Sequence, residues 1–242
     1  MKLNLLNFLK QIYSFNAYNR KQWVAERAAQ IQAGSRVLDV GAGTGRYRAF
    51  FAHCDYYAHD FAQTPVLAGQ YTPLDYESDI TNIPVPDGSF DIVLCTEVLE
   101  HIPEPIKAIY EMARILKQDG QLLLTAPLSS FLHQEPFHFY GGYTPHWYQK
   151  FLSEAGLQVQ SIEANRGFFS WLGQEMVRLV ILVNPVRAVR KGIPAWICLT
   201  FVWLIALPLA GILPLISKFL DSLELEQMAT AGYHVVAIKT NG

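Results

Sequence analysis

The sequence predicts an α/β fold in which a mostly parallel β-sheet carries helices on both faces, and three observations predict it. Short apolar runs at residues 36–40, 90–95 and 120–126 have the near-continuous hydrophobicity of strands buried on both sides. Between them lie segments with apolar residues at helical spacing. Strand and helix then alternate along the chain, which is the pattern of a doubly wound sheet. A chain of 242 residues holds one such domain with a substantial insertion, or two small domains.

Taken in order, residues 1–15 scatter Leu and Phe among Asn4, Asn7, Lys10 and Gln11. Without an unbroken apolar core or a small-residue cleavage site, they predict an amphipathic arm and not an export signal. Residues 18–32 repeat Trp23, Ala25, Ala28, Ala29 and Ile31 at helical spacing, and Gly34 ends that run. A strand at 36–40 leads into a helical stretch at 45–51. A second strand at 55–58 ends on His59 and Asp60. A strand at 90–95 precedes a helix at 106–116, and a strand at 120–126 is stopped by Pro127. Residues 143–155 predict a helix, 157–163 a strand, and 233–239 the last strand. No internal repeat or low-complexity tract is visible.

Composition excludes several classes of function. The net charge of −2, with no clustering of Lys and Arg on an aromatic-interleaved strand, argues against nucleic acid as a partner. Cys54, Cys95 and Cys198 are odd in number, far apart and free of any Cys-x-x-Cys spacing. They predict neither a disulfide framework nor a zinc site, and they fit a reducing, cytoplasm-facing location.

The turn after the first strand carries the first chemical signal. Gly41, Gly43 and Gly45 permit a tight turn and close backbone approach to a ligand at the carboxyl end of a strand. The pattern is Gly-x-Gly-x-Gly, with Arg46 where the dinucleotide fingerprint Gly-x-Gly-x-x-Gly places its last glycine. Asp60 ends the second strand about twenty residues on, where a carboxylate can take both hydroxyls of a ribose.

Further motifs follow in order: Asp79-Ile80, Pro86 through Val93, Thr96-Glu97-Val98-Leu99-Glu100-His101-Ile102, Glu111 through Lys117 and Gly120 through Pro127. Together with residues 37–47 and His59-Asp60, this series resembles the class I S-adenosylmethionine-dependent methyltransferases, in particular their type 11 branch. The resemblance covers about residues 20–165 and the last strand. It implies a Rossmann-like, doubly wound, seven-stranded and mostly parallel sheet, here with an apolar helical insertion between the last two strands. The domain organisation expected is a cofactor-binding domain over 1–166, an insertion over 167–231, and the final strand within 232–242.

The resemblance also implies roles for individual residues. Asp39 and the backbone of Gly41, Ala42, Gly43 and Gly45 hold the methionine part of S-adenosylmethionine. Asp60 binds the ribose hydroxyls, with Phe61 beside the adenine. Asp79 accepts from the adenine amino group, and Ile80 packs on the ring. Thr96 and Glu97 line the pocket where the fourth strand ends. From the residues alone, Asp79 also reads as a turn or helix cap and Ile80 as core.

Methyl transfer from a sulfonium is an in-line displacement, so the protein mainly aligns the acceptor and excludes water. A general base is needed only where the acceptor must lose a proton near neutral pH. The candidates are His101 and the segment containing His133, His138 and Tyr140, which follows the fifth strand. Capping and structural roles stand as alternatives for these residues, and no metal constellation stands out in the sequence.

Residues 193–217 contain no charge, a length sufficient for a membrane span. Residues 168–183 are also apolar but carry Glu175 and Arg178, and Arg187, Arg190 and Lys191 lie between the two runs. If the last strand joins the sheet, one crossing alone is excluded. Pro208, Gly211 and Pro214 are expected to break the second run into pieces too short to span. The expectation is therefore a monotopic attachment through 168–220 at the inner face of a membrane, with the basic residues at anionic headgroups. A buried helical cap, a dimer core and a two-span hairpin are the alternatives. The function expected is methyl transfer, chiefly to oxygen, on a small-molecule or lipid-linked acceptor. A nicotinamide-dependent oxidoreductase or epimerase, and a non-catalytic membrane-associated protein that kept the fold, remain open beside it.

Overall fold

The computed structural model describes residues 5–64, 67–226 and 228–240, so the first four residues of the predicted arm lie outside the described part. The chain separates into two compact units: residues 20–164 with 232–242, and residues 1–19 with 165–231.

The first of these units is a seven-stranded sheet. Its strands are β1 (Arg36–Val40), β2 (Asp55–Asp60), β3 (Tyr76–Glu77), β4 (Phe90–Thr96), β5 (Leu116–Pro127), β6 (Leu157–Ala164) and β7 (Gly232–Lys239), in the order β3-β2-β1-β4-β5-β7-β6. Pairs from β3 to β5 are parallel, while β7 runs antiparallel between β5 and β6. Side chains of a strand alternate between faces, and both faces here are apolar. Leu38, Val93, Leu122, Leu124 and Val235 join one core with α3 (Pro105–Ile115) and α4 (Pro145–Glu154). Val37, Ile92, Leu94, Leu123 and Val236 join the other with Trp23, Val24 and Ala28 of α2 (Phe15–Ala28). That double burial is why these strands read as continuous apolar runs.

Two local expectations change. The stretch 45–51 is helical only as a 3₁₀ turn at Arg48–Phe51, because Gly43 and Gly45 take left-handed backbone angles that no α-helix can include. The edge strand β3 has two residues, too few for any period to appear in sequence.

The second unit contains α1 (Leu5–Tyr13), α5 (Phe168–Leu182), α6 (Pro185–Ala188) and α7 (Ile193–Asp221). Asn165 ties the N-terminal arm to it: its amide donates to Asn16 O and Oδ1, and its carbonyl accepts from Asn19 Nδ2 at 2.9 Å. The N-terminus of α5 is capped from the end of α7, where Asp221 accepts Ser170 N at 3.0 Å and the Ser170 hydroxyl. Gly173 lets the helices approach, since a Cβ there would lie 3.2 Å from Pro214 N.

The expected break at Pro208 does not occur, and α7 runs through Pro208 and Pro214 for 29 residues, about 43 Å of helix. A proline removes one helical donor, and around Pro214 the carbonyls gain side-chain donors, one from outside the helix and one from within it. Tyr13 Oη donates to Gly211 O at 2.9 Å, and Ser217 Oγ donates to Pro214 O at 3.0 Å. Packing thus outweighs the local preference, and α7 has the length, and within it an 18-residue stretch of mean hydropathy 2.3, suited to crossing a membrane.

Candidate active site

The site is assembled where β1, β2, β4 and β5 reach their carboxyl ends. After Val40 the backbone turns through Gly41, Gly43 and Gly45 with φ of +74°, +52° and +68°. Side chains are disfavoured at such angles, and a Cβ on Gly41 would also lie 2.3 Å from Val98 Cγ2. The amides of Gly41 and Ala42 donate to His59 O at 2.9 and 3.0 Å, fastening the turn to the end of β2. Asp60 completes this clamp: its carboxylate accepts Gly43 N at 2.9 Å and Ala62 N at 3.0 Å. The glycine turn and the predicted ribose ligand are therefore in direct contact.

Asp39, one residue before the end of β1, is buried and accepts a 2.6 Å hydrogen bond from Tyr56 Oη. Burial drives its carboxyl up to about 7 even though the Tyr56 hydrogen bond favours the charged form, and Asp60 adds repulsion. A buried carboxylate poised near neutrality suits a cationic ligand group.

At the end of β4, Thr96 pairs with Thr125 of β5. Glu97 has φ of +53°, a left-handed angle that is costly for a residue with a side chain. Its geometry is fixed from three sides. Its amide donates to Thr125 O at 2.9 Å, its Oε1 accepts from Thr125 Oγ1 at 3.0 Å, and its Oε2 pairs with Arg20 Nη1 at 2.8 Å. Beyond it, the turn Leu99–His101 buries the Glu100 carboxyl, which burial and then the Glu97 charge push up to about 8.

The loop 128–144 folds back onto that turn. The amides of Phe139 and Tyr140 both donate to Glu100 O, Tyr140 Oη to Pro103 O at 3.0 Å, and Tyr143 Oη to Leu99 O at 2.7 Å. In consequence His101, His133 and His138 meet, although 32 residues separate the first two in sequence. Ring centroids lie 4.7 Å apart for His101–His133 and His133–His138, and 5.8 Å for His101–His138. His101 Nδ1 contacts Phe137 O, and His133 Nδ1 contacts Phe131 O at 2.8 Å. Burial, followed by the neighbouring His133, lowers the proton affinity of His138 against the pull of Glu135. Burial likewise lowers that of His101 against the Phe137 contact, which favours the charged form.

The remaining predicted residues are placed as follows. Phe61 is partly exposed and meets Phe137 of the loop edge to face at 6.0 Å. Asp79 is exposed, and its Oδ1 accepts Thr81 N and Thr81 Oγ1 at 2.8 and 2.7 Å, a turn cap. Ile80 is buried in the sheet core. Sequence reasoning missed Tyr56, Arg20 and Glu100. Only Glu100 had a sequence signal, its position beside His101.

Comparison with known proteins follows this geometry. Residues 38–124 match the family model described as a methyltransferase domain. The chain is 31% identical over 121 residues to demethylmenaquinone methyltransferase of Paenarthrobacter aurescens, covering 48% of this chain and 48% of that one. It is 31% identical over 119 residues to ubiquinone biosynthesis O-methyltransferase of Pseudomonas aeruginosa, covering 44% and 49%. It thus spans about half the length of the curated relatives it matches. Among solved structures, the [4+2]-cyclase SpnF superposes with a TM-score of 0.55 at 21% identity, over 93% of this chain and 81% of that one, a likeness of fold.

Proposed function

We infer that this chain, which carries a class I S-adenosylmethionine-dependent methyltransferase domain, transfers methyl groups to oxygen on a small-molecule or lipid-linked acceptor. The observation that carries this reading is the clamp between the glycine turn and Asp60, beside the buried Asp39. The methyltransferase-domain match lies over these residues and leaves the nicotinamide reading without support. Quinone methyltransferases among the relatives favour a ring hydroxyl as the acceptor.

When bound, S-adenosylmethionine supplies an activated methyl group, which an acceptor oxygen takes by in-line displacement as the sulfonium becomes a thioether. The chain's residues bind and orient. Asp39 faces the cationic end of the ligand, and the amides of the glycine turn allow close approach. Asp60 takes the ribose hydroxyls, Phe61 lies beside the base, and Asp79 and Ile80 border the base site. Thr96 and Glu97 line the pocket between β4 and β5. The loop carrying His133, His138 and Tyr140, together with His101, excludes water. A neutral imidazole in this group accepts the acceptor's proton where one must leave.

Attachment to the surface of a membrane is part of the same proposal. Both β6 and β7 belong to one sheet, so the segment between them starts and finishes on one side of a bilayer. Helix α5 has 15 residues, about 22 Å against the roughly 30 Å of a hydrocarbon core, and its Glu175 and Arg178 pair at 2.8 Å. The connection from α5 to α7 exposes Leu182, Val186, Val189 and Ile193, together with Arg187 and Arg190. Lys191's side chain lies outside the described ones. Apolar residues interleaved with cations suit insertion among anionic headgroups.

The test is incubation of the protein with labelled cofactor and separate membrane and aqueous extracts. Label in lipid-extractable material is expected. Label confined to aqueous products removes the lipid-linked acceptor, and label in neither removes the methyltransferase reading.

A further inference from the structure

We propose that Glu100, His101 and His133 form a binding site for a divalent transition-metal ion of the zinc class, with His138 at its rim. One ligand atom from each of the three lies within 4.8 Å of the others. Three donors around a tetrahedral zinc sit about 3.3 Å apart, so small side-chain rotations close the set. Two histidines and one carboxylate are also the donors of a zinc site that keeps a fourth position open.

The surrounding bonds prepare these side chains as ligands. His101 and His133 each direct Nδ1 to a backbone carbonyl, of Phe137 and Phe131. This fixes the ring and leaves the Nε2 lone pair for a metal, the arrangement that typically supports metal-bound imidazoles. Three buried atoms among these side chains lack hydrogen-bond partners. His101 Nε2, His138 Nε2 and Glu100 Oε2 are all buried without one among the described residues. Glu100 is only 1% exposed. Buried polar atoms are almost always satisfied, so the orphaned atoms on Glu100 and His101, two members of the group, call for a ligand. Glu100 Oε1 lies 3.8 Å from His101 Nε2, too far for a hydrogen bond but suited to two ligands that share an ion.

The donor set chooses the ion. Imidazole nitrogen favours zinc, cobalt and their neighbours, whereas magnesium demands an octahedron of oxygens. The open position would hold an acceptor hydroxyl and ease loss of its proton. That role rests on the methyltransferase reading; the binding of the metal does not.

The experiment titrates cobalt(II) and zinc(II) into the untagged, metal-stripped full chain, following the visible cobalt band and zinc stoichiometry, with cofactor affinity measured in parallel. One equivalent of metal and a tetrahedral cobalt band are expected. The His133→Ala variant should bind at least ~100-fold more weakly, while His53→Ala, a surface histidine, binds as the wild type does. His133 lies in a loop, and a thermal melt confirms that its variant is folded. Absence of a stoichiometric ion, wild-type affinity in His133→Ala, or equal binding of magnesium would each overturn the proposal. Loss of cofactor binding with metal binding intact would instead strike the methyltransferase reading.

Discussion

Replacing Asp39 by Asn tests the electrostatic reading of the cofactor site. Asn keeps the size of the side chain and can still accept from Tyr56, but it cannot ionise. In the folded protein the Asp39 carboxyl moves from 3.8 to about 7, which disfavours its charged form by about 4 kcal/mol. A cationic ligand group binds the charged form. At pH 6 only about a tenth of the carboxyl is ionised and at pH 8 about nine-tenths, so the wild-type affinity for S-adenosylmethionine should rise about tenfold between them. The Asn variant should lack that rise and bind more weakly at pH 8. Stability moves in the opposite direction. The folded state keeps a proton that the unfolded chain releases between about pH 3.8 and 7. This carboxyl's contribution to stability is therefore present below that window and lost as pH rises through 7. Titration calorimetry at both pH values, in buffers of different ionisation enthalpy, reads the affinity and the released proton. An identical pH dependence in wild type and variant would refute the assignment.

Two further changes probe the turn and the apolar unit. Gly41→Ala should cost about 2–4 kcal/mol in urea unfolding, from the left-handed backbone and the contact with Val98. Adding Val98→Ala should recover part of it, and an unchanged midpoint in Gly41→Ala would contradict the geometry. The protein should float with anionic phospholipid vesicles, less so in high salt. Replacing Arg187 and Arg190 by Ala should weaken that binding by about 2 kcal/mol, roughly 30-fold; equal binding to neutral vesicles would remove the headgroup role.

Much of the fold was legible because the sheet is buried on both faces, which makes its strands continuous apolar runs. The edge strand β3 was not, since two residues carry no period. Pro208 and Pro214 misled for a different reason. Local preference predicts a break, while the contacts that carry α7 through, from Tyr13 and Gly173, come from distant parts of the sequence. In the site, Asp60 and the glycine turn were readable from strand ends and spacing. The meeting of His101 with His133 was not, because it depends on how the loop 128–144 folds onto Glu100 O. Arg20 likewise reaches Glu97 across 77 residues, and nothing local marks it.

The decisive measurement is equilibrium binding of S-adenosylmethionine to the purified protein and to Asp60→Ala, each checked for folding by its thermal melt. One site per wild-type chain is expected. Loss of the hydrogen bonds of Asp60 should weaken binding by roughly 10–100-fold. A wild-type chain that binds no S-adenosylmethionine, or a folded Asp60→Ala variant with undiminished affinity, would contradict the reading of the glycine turn and Asp60 as the cofactor clamp.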